Sequence, residues 1–366
     1  MDVPREELES RWTAAQEVMS KEEWDALLIP LGVNFQYFFG KPGNPSERFL
    51  CGIIPAEGDP FLLTPAFERS NFAQATGIED IIVWEETESP YRNLIKELDE
   101  RKIGSNVGVD PKLWIIEVER LSRNTNRSFK SAGAVIDSLR LVKSDWEIEQ
   151  LKAAARASAE GILATFDRLK EGMTEKEVVP ILNEELGTRS GNPITYALVQ
   201  FGPNSALPHG YPTDRKLKSG DVVLLDVGTN VNGYQGDITI TKPFGSPPDQ
   251  FREIYDIVFE ANRKAFEANR EGAIPAELDK IARSHIESAG YGKYFTHRLG
   301  HGLGLEVHEH PYLVGTNQTP LIGGSAHTIE PGIYIEGKFG VRIEDDVYVT
   351  KNGCKRLFDV PRYTWE

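Results

Sequence analysis

The chain has 366 residues, 41 of them lysine or arginine against 56 aspartate or glutamate, a formal charge of −15 at pH 7. At about 150 residues per domain this length points to two domains, and the acidity argues against nucleic acid or an anionic membrane surface as a partner. Cys51 and Cys354 are too few and too far apart for a disulfide scaffold or a thiolate metal clamp, and no run of about 18 apolar residues spans a membrane. The start, Met1-Asp2-Val3-Pro4-Arg5, leads into a charged helical pattern rather than an apolar leader, so the expectation is an acidic cytoplasmic enzyme or binding protein.

In chain order, Glu6 to Met19 reads as an amphipathic helix. Ala26 to Pro30, Phe49 to Ile54, Pro60 to Thr64 and Asp80 to Trp84 read as short buried strands. Tyr91 to Glu100 is a second helix and Asn106 to Val109 another strand, so the first third is a sheet covered by helices. A boundary is expected between Ala132 and Ser144, giving domains 1–135 and 136–366. Ser144-Asp145-Trp146-Glu147 is a capping box that opens a long helix. Thr174 to Glu177 repeats the device, with Pro180 expected to strain the helix that follows. Strand hairpins come next, then helices Gln250 to Asn269 and Ala276 to Ala289, then hairpins again, a coarse twofold pattern.

Each half of that pattern carries two acids. Asp221 to Gly228 is an apolar strand with Asp226 near its end, Asn232-Gly233 is a turn, and the return strand Tyr234 to Thr241 carries Asp237. The midpoint of Asp226 and Asp237 falls close to the turn, so they should lie opposite or within one rung. Later, Glu330 and Glu344 flank the turn Gly337 to Gly340 in the same way, with Arg342 on the face of Glu344. Like charges paired inside apolar strands are destabilising without a counterion, and a pair of divalent metal ions would supply one.

Five of the seven histidines fall between positions 297 and 327. An imidazole completes an oxygen-rich metal site, and His301, flanked by Gly300 and Gly302, is the best-placed fifth ligand. His327 is an odd number of residues from Glu330 on one strand and should point to the opposite face, a structural role. His310, before Pro311, is expected on a surface loop, and His285 sits in a helix with no chemistry nearby.

Asp226 with Asp237, Gly-His301-Gly-Leu-Gly, Val-His308-Glu, Thr-Ile-Glu330-Pro-Gly-Ile-Tyr and Val-Arg-Ile-Glu344-Asp follow the order seen in the metal-dependent pita-bread peptidases. The whole chain resembles that family, closest to its prolidase and aminopeptidase P branch. The resemblance implies a mixed α/β (α+β) fold: a pita-bread catalytic domain with pseudo-twofold hairpins and helices, preceded by a smaller creatinase-type α/β domain. It implies Asp226, Asp237, His301, Glu330 and Glu344 as ligands of two divalent ions, Asp237 and Glu344 bridging both. His308 then hydrogen-bonds the substrate and the tetrahedral intermediate, His209 in Ala-Leu-Pro-His-Gly and His297 line the cleft, and Tyr334 and Arg342 support the substrate site. Glu330 is the candidate proton shuttle.

The reaction implied is hydrolysis of Xaa-Pro bonds in dipeptides or short peptides by a hydroxide bridging two ions. Oxygen-rich ligation with one imidazole favours Mn²⁺, with Co²⁺ or Zn²⁺ as substitutes. The relatives imply a homodimer. No arginine follows Val-His308-Glu309 as far as Gly315 to grip a free carboxylate, so aminopeptidase P-like cleavage of longer Xaa-Pro peptides is an alternative expectation. Another hydrolase or lyase reaction on the same metals, and a pseudo-peptidase scaffold, are the rival readings. The presence of all five ligands disfavours the scaffold.

Overall fold

The computed structural model describes residues 3–123 and 125–364. They form two units, Met1–Arg140 and Leu141–Glu366.

The first unit runs α1 (Arg5–Lys21), β1 (Ala26–Pro30), α2 (Val33–Phe39), β2 (Cys51–Pro55), β3 (Phe61–Pro65), α3 (Arg69–Thr76), β4 (Ile81–Trp84), α4 (Pro90–Glu100), β5 (Asn106–Val109), α5 (Ile115–Ser122), β6 (Ser128–Ser131) and α6 (Gly133–Leu141). Its strands make one sheet in the order β4-β3-β2-β1-β5-β6. The β1–β2 and β2–β3 pairs are antiparallel and the others parallel. Strand β1, Ala-Leu-Leu-Ile-Pro, is buried throughout, as an unbroken apolar run at the middle of a covered sheet requires. Helices α2, α3 and α5 were not expected from the sequence, and none has a side-chain cap to announce it. The expected cut after residue 135 falls within α6.

The second unit runs α7 (Asp145–Arg168), α8 (Glu175–Ser190), β7 (Tyr196–Phe201), β8 (Val222–Val231), β9 (Tyr234–Pro243), α9 (Phe251–Ala268), α10 (Pro275–Ser288), β10 (Gly300–Gly302), β11 (Glu309–Leu313), β12 (Ala326–Ile329), β13 (Gly332–Ile335), β14 (Phe339–Arg342), β15 (Asp345–Thr350) and β16 (Gly353–Arg356). Both capping boxes form, Ser144 with Glu147 and Thr174 with Glu177. Helix α8 continues through Pro180, the position expected to strain it. The box at one end, left-handed Gly191 at the other and the buried face of Val178, Leu182 and Leu186 outweigh the one lost hydrogen bond.

Two cores repeat the architecture. Ile162 of α7 and Leu182 of α8 pack with Val199, Leu225 and Ile238 of β7, β8 and β9. Val258 of α9 and Ala282 of α10 pack with Leu313, Ile329, Val341 and Val347 of the later strands. The Asn232-Gly233 turn has both residues at positive φ, 50° and 84°, the geometry whose twist suits a two-residue hairpin. Gly236 lets α7 lie directly on β9: a Cβ there would stand 2.4 Å from the Ala154 carbonyl carbon. Among the described residues no helix is long and apolar enough to cross a membrane.

Candidate active site

Strand register decides where the acids go. Asp226 on β8 faces Thr239, and Asp237 on β9 faces Gly228. The two aspartates are therefore diagonal neighbours on one face, two positions off a direct pair. The second hairpin is broken. Ile329 pairs with Asp345 on one side of the break and Gly332 with Arg342 on the other, in one common register. Glu330 and Glu344 fall in the gap, opposite each other, with Pro331 removing a donor from the ladder. Freed from the strands, they join the aspartates in one cavity of ≈ 640 Å³, lined also by His209, His297, His301, His308, Arg298 and Arg342.

His301 is fixed by its backbone. Its Nδ1–H donates to the Gly302 carbonyl at 3.2 Å, which aims Nε2 inward, where it carries a proton toward Glu330 in the metal-free protein and can give its lone pair to an ion once that proton leaves. That nitrogen lies 3.2 Å from Glu330 Oε1 and 3.5 Å from Asp237 Oδ2. Donor atoms of Asp237, His301 and Glu344 all lie within 4.8 Å of one another. Asp237 also accepts from the Tyr196 hydroxyl, and Glu344 Oε2 from Thr239 Oγ1 at 2.5 Å. Asp226 accepts from Arg342 through Oδ2, whereas its buried Oδ1 has no partner. Tyr196 and Thr239 were not singled out in the sequence, since their contacts depend on strand pairing rather than on a local motif. Asp346, fully buried, accepts from the Asp237 amide at 2.9 Å and fixes that backbone.

The electrostatics call for cations. Burial, and then the charge of Asp226, push the Asp237 carboxyl up to about 7. Burial, followed by the neighbouring Asp237 and Glu330, holds Glu344 well above the carboxylate range. Glu330 goes the other way, to about 2: burial opposes its ionisation, but the hydrogen bond and charge of His301 prevail. Without metal, then, protons must do the work of counterions. An orphaned carboxylate oxygen, a single lone pair from imidazole and converging acids fit a pair of hard or borderline divalent ions.

The remaining expected residues surround this cluster. The His308 ring stands edge-on to His301 with centroids 4.1 Å apart, and burial, then the His301 charge, lower its pKa to about 4. His209 is exposed at the rim on a loop held by Gln200 Nε2, which donates to the Leu207 carbonyl at 2.6 Å. Arg342, 2% exposed, donates to the Tyr334 hydroxyl at 2.7 Å. That hydroxyl lies 2.8 Å from His297 Nε2, and His297 Nδ1 lies 2.8 Å from the Arg298 carbonyl. A carbonyl only accepts, so Nδ1 carries the proton and Tyr334 donates to Nε2. Both His297 nitrogens are thus used within the protein, leaving its ring face toward the cleft.

The three histidines set aside in the sequence lie outside this cavity. His327 is fully buried, 2.6 Å from the Asn269 amide, and burial lowers its pKa to about 3. His285 lies in α10 with Nδ1 3.0 Å from Lys264 Nζ. His310 is exposed as expected but belongs to strand β11 rather than to a loop. Its Pro311 sits at a register irregularity where the missing N–H is tolerated.

Comparison with known proteins identifies the family and the fold. The metallopeptidase family M24 profile matches residues 149–351, and the creatinase/prolidase N-terminal domain profile matches residues 11–142. A Staphylococcus epidermidis protein named "Uncharacterized peptidase SERP1271" is 37% identical over 344 residues, covering 93% of this chain and 97% of its own. The solved Xaa-Pro dipeptidase from Bacillus anthracis superposes with a TM-score of 0.90 at 29% identity, over 97% of this chain and 99% of its own. The X-Pro aminopeptidase from Thermotoga maritima does so with 0.86 at 32% identity, over 95% and 98%. With family profile, full-length relatives and fold in agreement, the chain belongs to metallopeptidase family M24 and carries the creatinase/prolidase N-terminal domain.

Proposed function

We propose that this enzyme is a dinuclear metal-dependent peptidase that cleaves the bond between an N-terminal residue and proline in dipeptides and short peptides. The observation that carries the reading is the convergence of Asp226, Asp237, His301, Glu330 and Glu344 on one cavity. These five would hold the ions, and manganese suits their oxygen-rich set with one imidazole. Divalent ions there supply a water acidified toward neutrality and a Lewis acid for the scissile carbonyl.

The chain's own groups have separable tasks. Arg342 orients Asp226, and Thr239 orients Glu344. His308, neutral at pH 7, offers an N–H to the carbonyl oxygen as charge develops on it. Glu330 is placed to take a proton and return it to the leaving nitrogen. The apolar wall of Leu198, Pro208 and Val307, beside His209, accepts a proline ring. A tertiary amide has no N–H to offer a strand-pairing protease, whereas a cleft of this kind does not need one.

The test is a cleavage panel of Leu-Pro, Leu-Pro-Leu and Leu-Leu with Mn²⁺ and with chelator. Cleavage of the proline peptides at least about tenfold faster than Leu-Leu, abolished by chelator, is the expected result. Equal rates on all three, or full activity after metal removal, would overturn it.

A further inference from the structure

Asn262 is a polar side chain where the packing calls for an apolar one. It lies fully buried on α9 between Val258 and Ala265, beside the core that those residues share with Ile329, Val341 and Val347. Its Nδ2 donates to the Ile329 carbonyl at 2.9 Å and to the Ile343 carbonyl at 3.4 Å. Among the described residues its Oδ1, also buried, has no hydrogen-bond partner. An amide that leaves its own oxygen unpaired in an apolar core is kept there for its donors.

Those two carbonyls belong to the peptide units that lead into Glu330 and Glu344, and the strand pairing explains why they need a side-chain donor. In the common register of the broken hairpin, Pro331 stands opposite Ile343. The Ile343 amide donates to the Pro331 carbonyl at 3.4 Å, one half of the exchange that an antiparallel pair makes at such a position. The return bond, from residue 331 to the Ile343 carbonyl, cannot form, because proline has no N–H. Asn262 supplies that donor from the helix behind. Its other N–H goes to Ile329, whose peptide unit is held at the far end as well, where the Glu330 amide donates to the Leu299 carbonyl at 2.8 Å.

We infer that Asn262 is a positioning residue that holds Glu330 and Glu344 opposed for metal, standing in for the hydrogen-bond donor that Pro331 lacks. The inference rests on the reading of these acids as metal ligands and not on the peptide that is cleaved. Without the amide, the Ile343 carbonyl is buried and unpaired, and the peptide unit carrying Glu344 must turn to find another donor. A turn there re-aims one carboxylate against the other. An asparagine with a purely structural role would contribute to stability and leave the affinity for metal alone.

The experiment is calorimetry with Mn²⁺, together with thermal unfolding in chelator, on the natural protein, Asn262→Leu, Asn262→Ala and Val258→Ala. Each Asn262 variant is also made in a Pro331→Ala background. Asn262→Leu fills the space and Asn262→Ala leaves it open, so an effect they share belongs to the lost donor. Both should raise the Kd for Mn²⁺ of the folded protein by about tenfold or more. Val258→Ala, a cavity one turn away on the same helix face, should lower the unfolding temperature and leave the Kd within about twofold. Pro331→Ala returns the missing N–H, so in that background the loss of Asn262 should weaken Mn²⁺ binding at least about threefold less. An unchanged Kd in the Asn262 variants, an equal rise in Val258→Ala, or the same loss in both backgrounds overturns the inference, as do Asn262 variants that fold in neither. A natural protein that binds no Mn²⁺ overturns the metal reading and this inference together. One that binds it, while the Asn262 variants bind as tightly, sinks this inference alone.

Discussion

Arg342 donates to the Asp226 carboxylate with one guanidinium nitrogen while another holds the Tyr334 hydroxyl at 2.7 Å and Nε reaches Thr239 at 3.0 Å. One buried cation thus orients an acid on β8, a threonine on β9 and, through Tyr334, the ring of His297. Burial alone would lower its pKa, but Tyr334 and the nearby carboxylates keep it well above the ordinary value, so it stays charged.

Removing that charge leaves Asp226 buried and unpaired. Arg342→Met should destabilise the metal-free protein by about 3–5 kcal/mol, the range for breaking a buried ion pair. Adding Asp226→Asn should recover part of the loss, a coupling that urea unfolding of the four proteins in a double-mutant cycle would measure. Single-mutant losses that simply add would show that the pair contributes nothing of its own.

Asp237 makes the metal-free enzyme less stable as pH rises. Its carboxyl titrates near 7 in the folded protein, against ~3.9 in an unfolded chain. Between those values the native state keeps a proton that the unfolded state has released, so stability falls as pH rises from about 4 through 7. In chelator, Asp237→Asn should therefore gain stability relative to the natural protein as pH rises across that window. Thermal unfolding of both proteins at pH 5 and pH 8 checks it, and a difference independent of pH would refute it.

His327 has the opposite sign. Its folded pKa near 3 lies below the unfolded value of ~6.5, so acid protonates the unfolded chain first and costs stability as pH falls. Between pH 7 and 4.5 the natural protein should lose about 2–3 kcal/mol more than His327→Gln does. Denaturant titrations at the two pH values give both numbers, and parallel losses would mean that His327 does not titrate on unfolding.

Gly302→Ala tests how the imidazole proposed to bind metal is held. A Cβ at 302 would come within 2.1 Å of the His310 carbonyl oxygen, backbone that cannot turn aside. The substitution should cost about 1–3 kcal/mol as overpacking and weaken manganese binding by about tenfold or more. Calorimetry with Mn²⁺ on the folded variant reads the second effect, and unchanged affinity would show that His301 tolerates the shift.

Much of the site was legible in the sequence because its parts are local. The turn residues and the symmetric placing of Glu330 and Glu344 give their opposition, and the glycines around His301 mark a crowded backbone. What was hidden depends on pairing between distant strands. Tyr196 reaches Asp237 only because Leu198 pairs with Asp226 across β7 and β8. In the first unit α2, α3 and α5, uncapped and too short to show a clear periodic pattern, went unseen, while the longer α1 was legible from its periodicity and Ser144 and Thr174 announced their helices.

The glycines on either side of His301 leave this centre with no gradual route to change. At 300 a methyl group would strike the Thr328 carbonyl oxygen at 2.1 Å, as one at 302 strikes His310. Three neighbouring strands would have to move in lockstep before the imidazole could be re-aimed. The exposed rim loop that carries His209 can therefore shift far more easily than the direction in which this nitrogen points into the cavity.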